Sequence, residues 1–181
     1  AADRPLLQQL CFGVCRYYPK LSCIIELLVE KPLRNKDLEV QALLLLGLYQ
    51  LIYTRIPDHA AIGETVEAAR HLNKPWATKL LNAVLRNYQR DADALAERLS
   101  GNELFQTNHP EWLWGMLNKS WPEQSRTIVA ANDEHPPFTL RVNINKMARD
   151  EYLELLADVG LQASATTFSP YGVTLSTPCD P

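Results

Sequence analysis

Cysteine and histidine are the side chains in this sequence best suited to nucleophilic or metal chemistry, and it holds four of each. Cys11, Cys15, Cys23 and Cys179 lack the paired C-x2-C spacing that grips zinc. Cys11 and Cys15 stand four apart on a predicted helix, a spacing that would suit a metal or a redox pair. Because cysteine is among the most buried residue types, the plainer reading is preferred: small hydrophobes of a core. His59 follows a predicted helix cap, and His109 and His135 each precede a proline. None has a nucleophile or second ligand at a recognisable spacing, so packing and capping are their expected uses. The reading expects no catalytic residue and no metal ligand set.

Positive charge is the more informative signal. The net charge is −3, but residues 1–90 carry 12 Lys and Arg against 8 Asp and Glu, while residues 91–181 carry 6 against 13. The first half is therefore +4 and the second −7, so contact with a polyanion belongs to the first half. Lys79, Arg86 and Arg90 lie seven and four apart, on one side of a predicted helix whose other side holds Leu80, Leu81, Val84, Leu85 and Tyr88. Such a face either meets phosphates or is an ordinary solvated surface. Arg16, Arg55 and Lys74 would extend it if the fold brings them near.

The elements that must position these residues are helical as far as about Asn132. A chain of 181 residues, 46% apolar and with only 7 Gly, can bury a core. Asp37 to Tyr53 is apolar on nearly every face and so must be the central helix of a bundle. Pro57 stops that helix, Asp58 is placed to cap the next, and Pro75, Pro110 and Pro122 read as helix-opening prolines. Two short helices are expected, Glu111 to Lys119 and Glu123 to Ala131, with Trp112, Trp114 and Trp121 packed in a core or domain interface. The residues from Ser100 to Asn108 read as a polar break.

From Phe138 the pattern changes to alternation: Phe138, Leu140, Val142 and Ile144 against Thr139, Arg141, Asn143 and Asn145. A helix from Arg149 to Val159, a stop at Gly160 and a short strand from Val173 to Ser176 follow. So few elements are not expected to close a sheet with its own core, and the chain reads as ending inside a second domain. The fold class is thus mainly α, a helical bundle over residues 1–132 followed by a partial α+β subdomain over 133–181. The longest apolar stretch, Ala42 to Tyr49, is too short to span a membrane, and a soluble, cytoplasmic chain is expected.

Three stretches resemble the NusB-like helical domain, and more narrowly the copy that opens the RsmB (Sun, Fmu) family of 16S rRNA cytosine-C5 methyltransferases. They are Phe12-Gly13-Val14-Cys15-Arg16-Tyr17, the run from Gly47 through Ile56-Pro57-Asp58-His59-Ala60-Ala61 to Glu67, and Leu81-Asn82-Ala83-Val84-Leu85-Arg86. Pro136 to Asn143 and Ser169 to Val173 are similar to the segment that joins the helical and catalytic domains of that family. The element Arg141-Val142-Asn143 separates this resemblance from free-standing NusB. Family members usually begin with a further arginine-bearing helix, and here the match starts after it.

The resemblance implies a protein that uses S-adenosylmethionine. A cysteine thiolate attacks C6 of the base so that C5 becomes electron-rich, and a second cysteine aids release. No glycine-rich turn after a strand is present to hold that cofactor, and Pro178-Cys179 is rejected as the family's Pro-Cys motif because no cofactor fold precedes it. The implied role is non-catalytic: the chain binds and orients 16S rRNA through Arg16, Arg55, Lys74, Lys79, Arg86 and Arg90, and Arg141 and Asn143 meet either RNA or the protein's own catalytic domain. The alternative is an adaptor of NusB type that binds a ribosomal or antitermination protein.

Overall fold

The computed structural model describes residues 3–134 and 136–177; His135 and the Pro178-Cys179 pair lie outside the described residues. The chain folds as two compact units, with the boundary between Asp133 and Glu134.

The first unit is all helical. It comprises α1 (Arg4–Leu28), a 3-10 turn (Asn35–Asp37), α2 (Leu38–Tyr53), α3 (Asp58–His71), α4 (Ala77–Arg98), α5 (Glu103–Thr107), α6 (Glu111–Ser120) and α7 (Ser125–Asp133). α2 is the central helix that its composition demands: Val40, Leu44 and Leu48 have no exposed surface, and α1, α3 and α4 all pack on it. The approach of α4 is close at Gly47, where a Cβ would lie 2.7 Å from a Leu85 methyl carbon. Gly13 plays the same part on α1, since a Cβ there would fall inside the Tyr49 ring, 2.0 Å from Cζ. The glycines in the Phe-Gly-Val-Cys and Gly-Leu-Tyr motifs are thus helix-contact points.

Several expectations are corrected. Asp58 does not cap α3: Pro57 is the N-cap residue and no side-chain cap bond forms. The supposed polar break contains α5, started by Asn102, whose side chain accepts from the Phe105 N–H at 2.9 Å. Phe105 fills the bundle core, and that tertiary contact sustains a helix too short to show periodicity. Among the described residues Cys11 and Cys15 are exposed and Cys23 is buried. Trp114 is buried as expected, but Trp112 and Trp121 are 70% and 52% exposed, because α6 and α7 are short and bury only the Trp114, Leu117, Val129 side of their contact.

The second unit comprises β1 (Phe138–Arg141), α8 (Arg149–Asp158), β2 (Ala163–Ala165) and β3 (Gly172–Leu175). The strands form an antiparallel sheet in the order β1-β3-β2, with Leu140 opposite Val173 and Ser164 opposite Thr174. Gly160, at φ +80°, ends α8 as expected. β2 was not expected, and with it the unit does bury a core of its own, Val142, Leu156, Val173 and Leu175. The missed strand is Ala-Ser-Ala, without the branched or aromatic residues that mark strands, and its partner β3 supplies the order.

Candidate nucleic-acid interface

α4 has the two faces that its sequence predicts. Leu81, Val84 and Leu85 are buried against the bundle with Leu80 and Tyr88 beside them, and Lys79, Arg86 and Arg90 are exposed. At 1.5 Å of rise per residue, Lys79 stands about 10 Å along the axis from Arg86 and Arg90 about 6 Å beyond that. Amides order the guanidinium groups: Arg86 Nε donates to Asn82 Oδ1 (3.2 Å) and Arg90 Nη2 to Asn87 Oδ1 (3.0 Å). Arg90 also meets the Asp91 carboxylate at 2.9 Å, and these bonds push its pKa above the usual arginine value. Asp91 itself has non-helical φ/ψ (−117°, 20°), so the helix kinks directly after Arg90.

A tyrosine cluster joins this end of α4 to the other helices. Tyr17 of α1 stacks on Tyr53 of α2 with ring centroids 3.9 Å apart, and Tyr49 lies 5.4 Å from Tyr53. Tyr88 of α4 is near enough for its ionised form to raise the pKa of Tyr53. Burial is the first cause of the upward shifts at Tyr17, Tyr53 and Tyr88; the charge of Asp133 adds to it at Tyr17, and that of Asp93 at Tyr88. The phenols of Tyr17, Tyr53 and Tyr88 therefore hold their protons above the usual tyrosine range.

Four of the predicted basic residues lie close to these tyrosines in sequence. Arg16 adjoins Tyr17 and Arg55 follows Tyr53 by two residues, whereas Arg86 and Arg90 stand two before and two after Tyr88, a spacing that puts them on the opposite side of α4 from its ring. Gln89 Nε2 donates to Asp58 Oδ2 at 2.9 Å, tying the first residue of α3, which follows the loop that carries Arg55, to α4. Thr54 fixes the same loop, accepting from the Ile56 N–H (3.2 Å) while donating to the Gln50 carbonyl (2.8 Å). Arg55 is exposed there and lines a groove of about 560 Å³ with Leu6, Gln9 and Tyr53. The backbone at Arg16 is tied down as well, its carbonyl accepting from Asn108 Nδ2 at 3.0 Å.

Lys74 is used differently. Its Nζ lies 3.1 Å from Oδ1 of Asp37, which is 5% exposed, 3.0 Å from the Lys36 carbonyl and 3.8 Å from Glu39. It neutralises a buried carboxylate. Sequence reasoning missed both this pair and the tyrosine cluster. Tyr49 and Tyr53 four apart on α2 were a visible signal of a shared face; nothing near Lys74 in sequence points to Asp37. Arg141 and Asn143 lie in the second unit, exposed at and beyond the end of β1 on either side of buried Val142.

Among the described residues no group of three His, Cys, Asp or Glu is placed to hold a metal ion. His109 is spanned by the Thr107 carbonyl at Nδ1 (2.7 Å) and the Asn132 amide at Nε2 (3.1 Å), a packing role. His59 is exposed. Burial, followed by the charge of Glu26, raises the Cys23 pKa and keeps the thiol protonated. No helix among the described residues is long and apolar enough to cross a membrane.

Comparison with known proteins places this geometry in a family. Residues 1–90 match the NusB family, and residues 109–181 match the RsmF/B-like methyltransferase, ferredoxin-like domain. Over 178 residues the chain is 55% identical to ribosomal RNA small subunit methyltransferase B of Pseudomonas syringae pv. tomato, covering 98% of this chain and 40% of the relative. It belongs to the RsmB family, as its NusB-like and ferredoxin-like portion. The same-named proteins of Pseudomonas putida and Proteus mirabilis are 51% and 43% identical over 98% of this chain. The chain spans about 40% of the length of these RsmB relatives. The crystal structure of PH0851 superposes with a TM-score of 0.64 at 13% identity, covering 99% of this chain and 41% of that one, a likeness of fold. The ferredoxin-like match begins at His109, so α6 and α7 fall within it although they belong to the first compact unit.

Proposed function

We propose that this chain is the RNA-binding amino-terminal part of an S-adenosylmethionine-dependent 16S rRNA cytosine-C5 methyltransferase, and that it holds the rRNA while the remainder of the protein performs methyl transfer. The observation that carries this reading is the exposed basic face of α4, where Asn82 orders Arg86 and Asn87 orders Arg90, in a chain aligned along its length with RsmB proteins; Arg16 and Arg55 are assigned to the same RNA surface. Phosphates attract guanidinium groups and release counterions on binding, and arginine also stacks on unpaired bases. Lys79 extends the surface along α4, and Lys74 serves the fold.

The residues present do not fit the methyl donor. β1 runs into Val142-Asn143-Ile144-Asn145 without a glycine, and beside Gly172 the Thr166 hydroxyl already sits 2.1 Å from where a Cβ would lie. Neither strand end offers the open backbone cradle that a cofactor's close approach requires. No step of the transfer is assigned to this chain; its contribution is orientation, which converts binding energy into rate elsewhere. Its partners on this reading are small-subunit rRNA and the protein's own catalytic domain.

The test is binding of 16S rRNA fragments by this chain as salt is varied. Salt-sensitive binding that weakens at least tenfold in Arg55→Ala/Arg86→Ala is expected. Salt-insensitive binding, or affinity unchanged in that variant, would overturn the assignment of this surface.

A further inference from the structure

The sheet of the second unit has a packed face and an open one. Leu140, Val173 and Leu175 face the α8 side, where Leu156 joins them. On the other face Thr139 and Thr174 share a hydroxyl hydrogen bond (3.0 Å), and Arg141 lies opposite Gly172, which has no side chain. Arg141 thereby lines two depressions at once, one of about 500 Å³ with Asn143, Asn145 and Tyr171, the other of about 330 Å³ with Thr139 and Phe168.

Each depression presents an aromatic ring to solvent. Phe168 is 100% exposed and Tyr171 42%. Folding ordinarily hides such surface, yet the turn that displays these rings is pinned. The Ser169 carbonyl accepts from Thr166 Oγ1 (3.0 Å), Arg149 Nη1 (3.1 Å) and the Gly172 N–H (3.4 Å), and Ser169 Oγ accepts from the Tyr171 N–H (3.3 Å). Asp150, Glu151, Glu154 and Asp158 are on α8, the helix of the packed side. Among the described residues Arg141 has no ion-pair partner. The Asn143 side-chain oxygen accepts from the Asn145 N–H at 3.2 Å, which leaves its amide NH2 to donate outward.

We infer that Arg141, with Phe168 on one side and Tyr171 on the other, binds two consecutive unpaired nucleotides of RNA. Each ring stacks one base, the guanidinium takes the phosphate between them, and the Asn143 amide meets a base edge. Aromatic rings accept any base by its π-face, so the site selects single strand over duplex, in which both faces are already stacked. A protein partner would use the aromatic pair without needing the phosphate contact. The inference rests on the reading of this chain as an rRNA-binding region, and adds to it a second site with a different preference.

The experiment is residue-resolved NMR of the whole 181-residue chain, titrated with a short single-stranded RNA oligonucleotide and then with the same strand paired to its complement. The single strand is expected to shift amides at 139–145 and 166–172 as well as those of α4, and the duplex to shift α4 alone. Phe168→Ala and Tyr171→Ala, whose side chains lie outside the buried cluster, should each weaken the second-unit response about 5- to 100-fold and leave that of α4 unchanged. Arg141→Ala should weaken it and lower its salt dependence by about one phosphate contact. If the single strand shifts α4 but not 139–145 and 166–172, this inference is overturned while the proposed function stands. If neither region responds, both fall. Loss of less than twofold in both aromatic variants would refute the stacking site, as would a response to duplex equal to that to single strand.

Discussion

Lys74→Met tests whether the fold has converted a basic residue from a ligand for RNA into a support. Asp37 is 5% exposed, with Lys74 Nζ at 3.1 Å, and its other cation, Arg34, lies at 4.0 Å on a side chain that is 78% exposed. At an effective dielectric near 20 a pair at that distance attracts by about 5 kcal/mol before desolvation is counted. Removing one partner of a fully buried pair costs about 3–5 kcal/mol. The Lys74 side chain is 22% exposed and Arg34 can turn toward the orphaned carboxylate, so the expected loss is about 2–3 kcal/mol. For a unit of this size that lowers the unfolding midpoint by about 6–10 °C. Asp37→Asn/Lys74→Met removes both charges and should recover to within about 1 kcal/mol of the starting protein, because the cost lies in the unpaired charge. Thermal and urea unfolding followed by circular dichroism, with RNA affinity measured on the same proteins and on Asp37→Asn, reads the cycle. A Lys74→Met protein as stable as the original but binding RNA as poorly as Arg86→Ala would refute the reasoning and return Lys74 to the RNA surface.

Three further outcomes follow from the same geometry. The triple variant Lys79→Ala/Arg86→Ala/Arg90→Ala should lower the slope of log affinity against log salt by about 2 for single-stranded RNA, with Arg90→Ala alone contributing least because Asp91 already faces it; filter binding over a salt series reads this. Gly13→Ala should cost about 1–2 kcal/mol even though alanine favours helix, since its Cβ collides with the Tyr49 ring, and denaturant unfolding will show it. The phenols of Tyr17, Tyr53 and Tyr88 hold their protons more tightly when folded, so above about pH 10 the unfolded chain ionises first and stability falls as pH rises. Tyr53→Phe should flatten that decline in urea midpoints taken at successive alkaline pH values.

What the sequence disclosed and what it withheld divide along the distance between partners. α2, α4 and α8 were legible because each signal is local: an apolar run, two opposed stripes, and a helix stopped by Gly160. α5 and β2 were not, because neither has a periodicity of its own. Five residues make a helix when Asn102 caps them and Phe105 enters the core, and Ala-Ser-Ala makes a strand when β3 lies beside it. The same division runs through the candidate site. Lys79, Arg86 and Arg90 could be grouped by counting along one helix, but whether a cation is available to a phosphate depends on what stands across from it. Asp37, 37 positions before Lys74, pairs with that lysine, and Gln89, 31 positions after Asp58, ties the start of α3 to α4. A charge count along the sequence therefore could not show that Lys74 faces a buried carboxylate. The same holds for the tyrosines: Tyr17 and Tyr53 are far apart in sequence, and their rings stack only because α1 packs on α2.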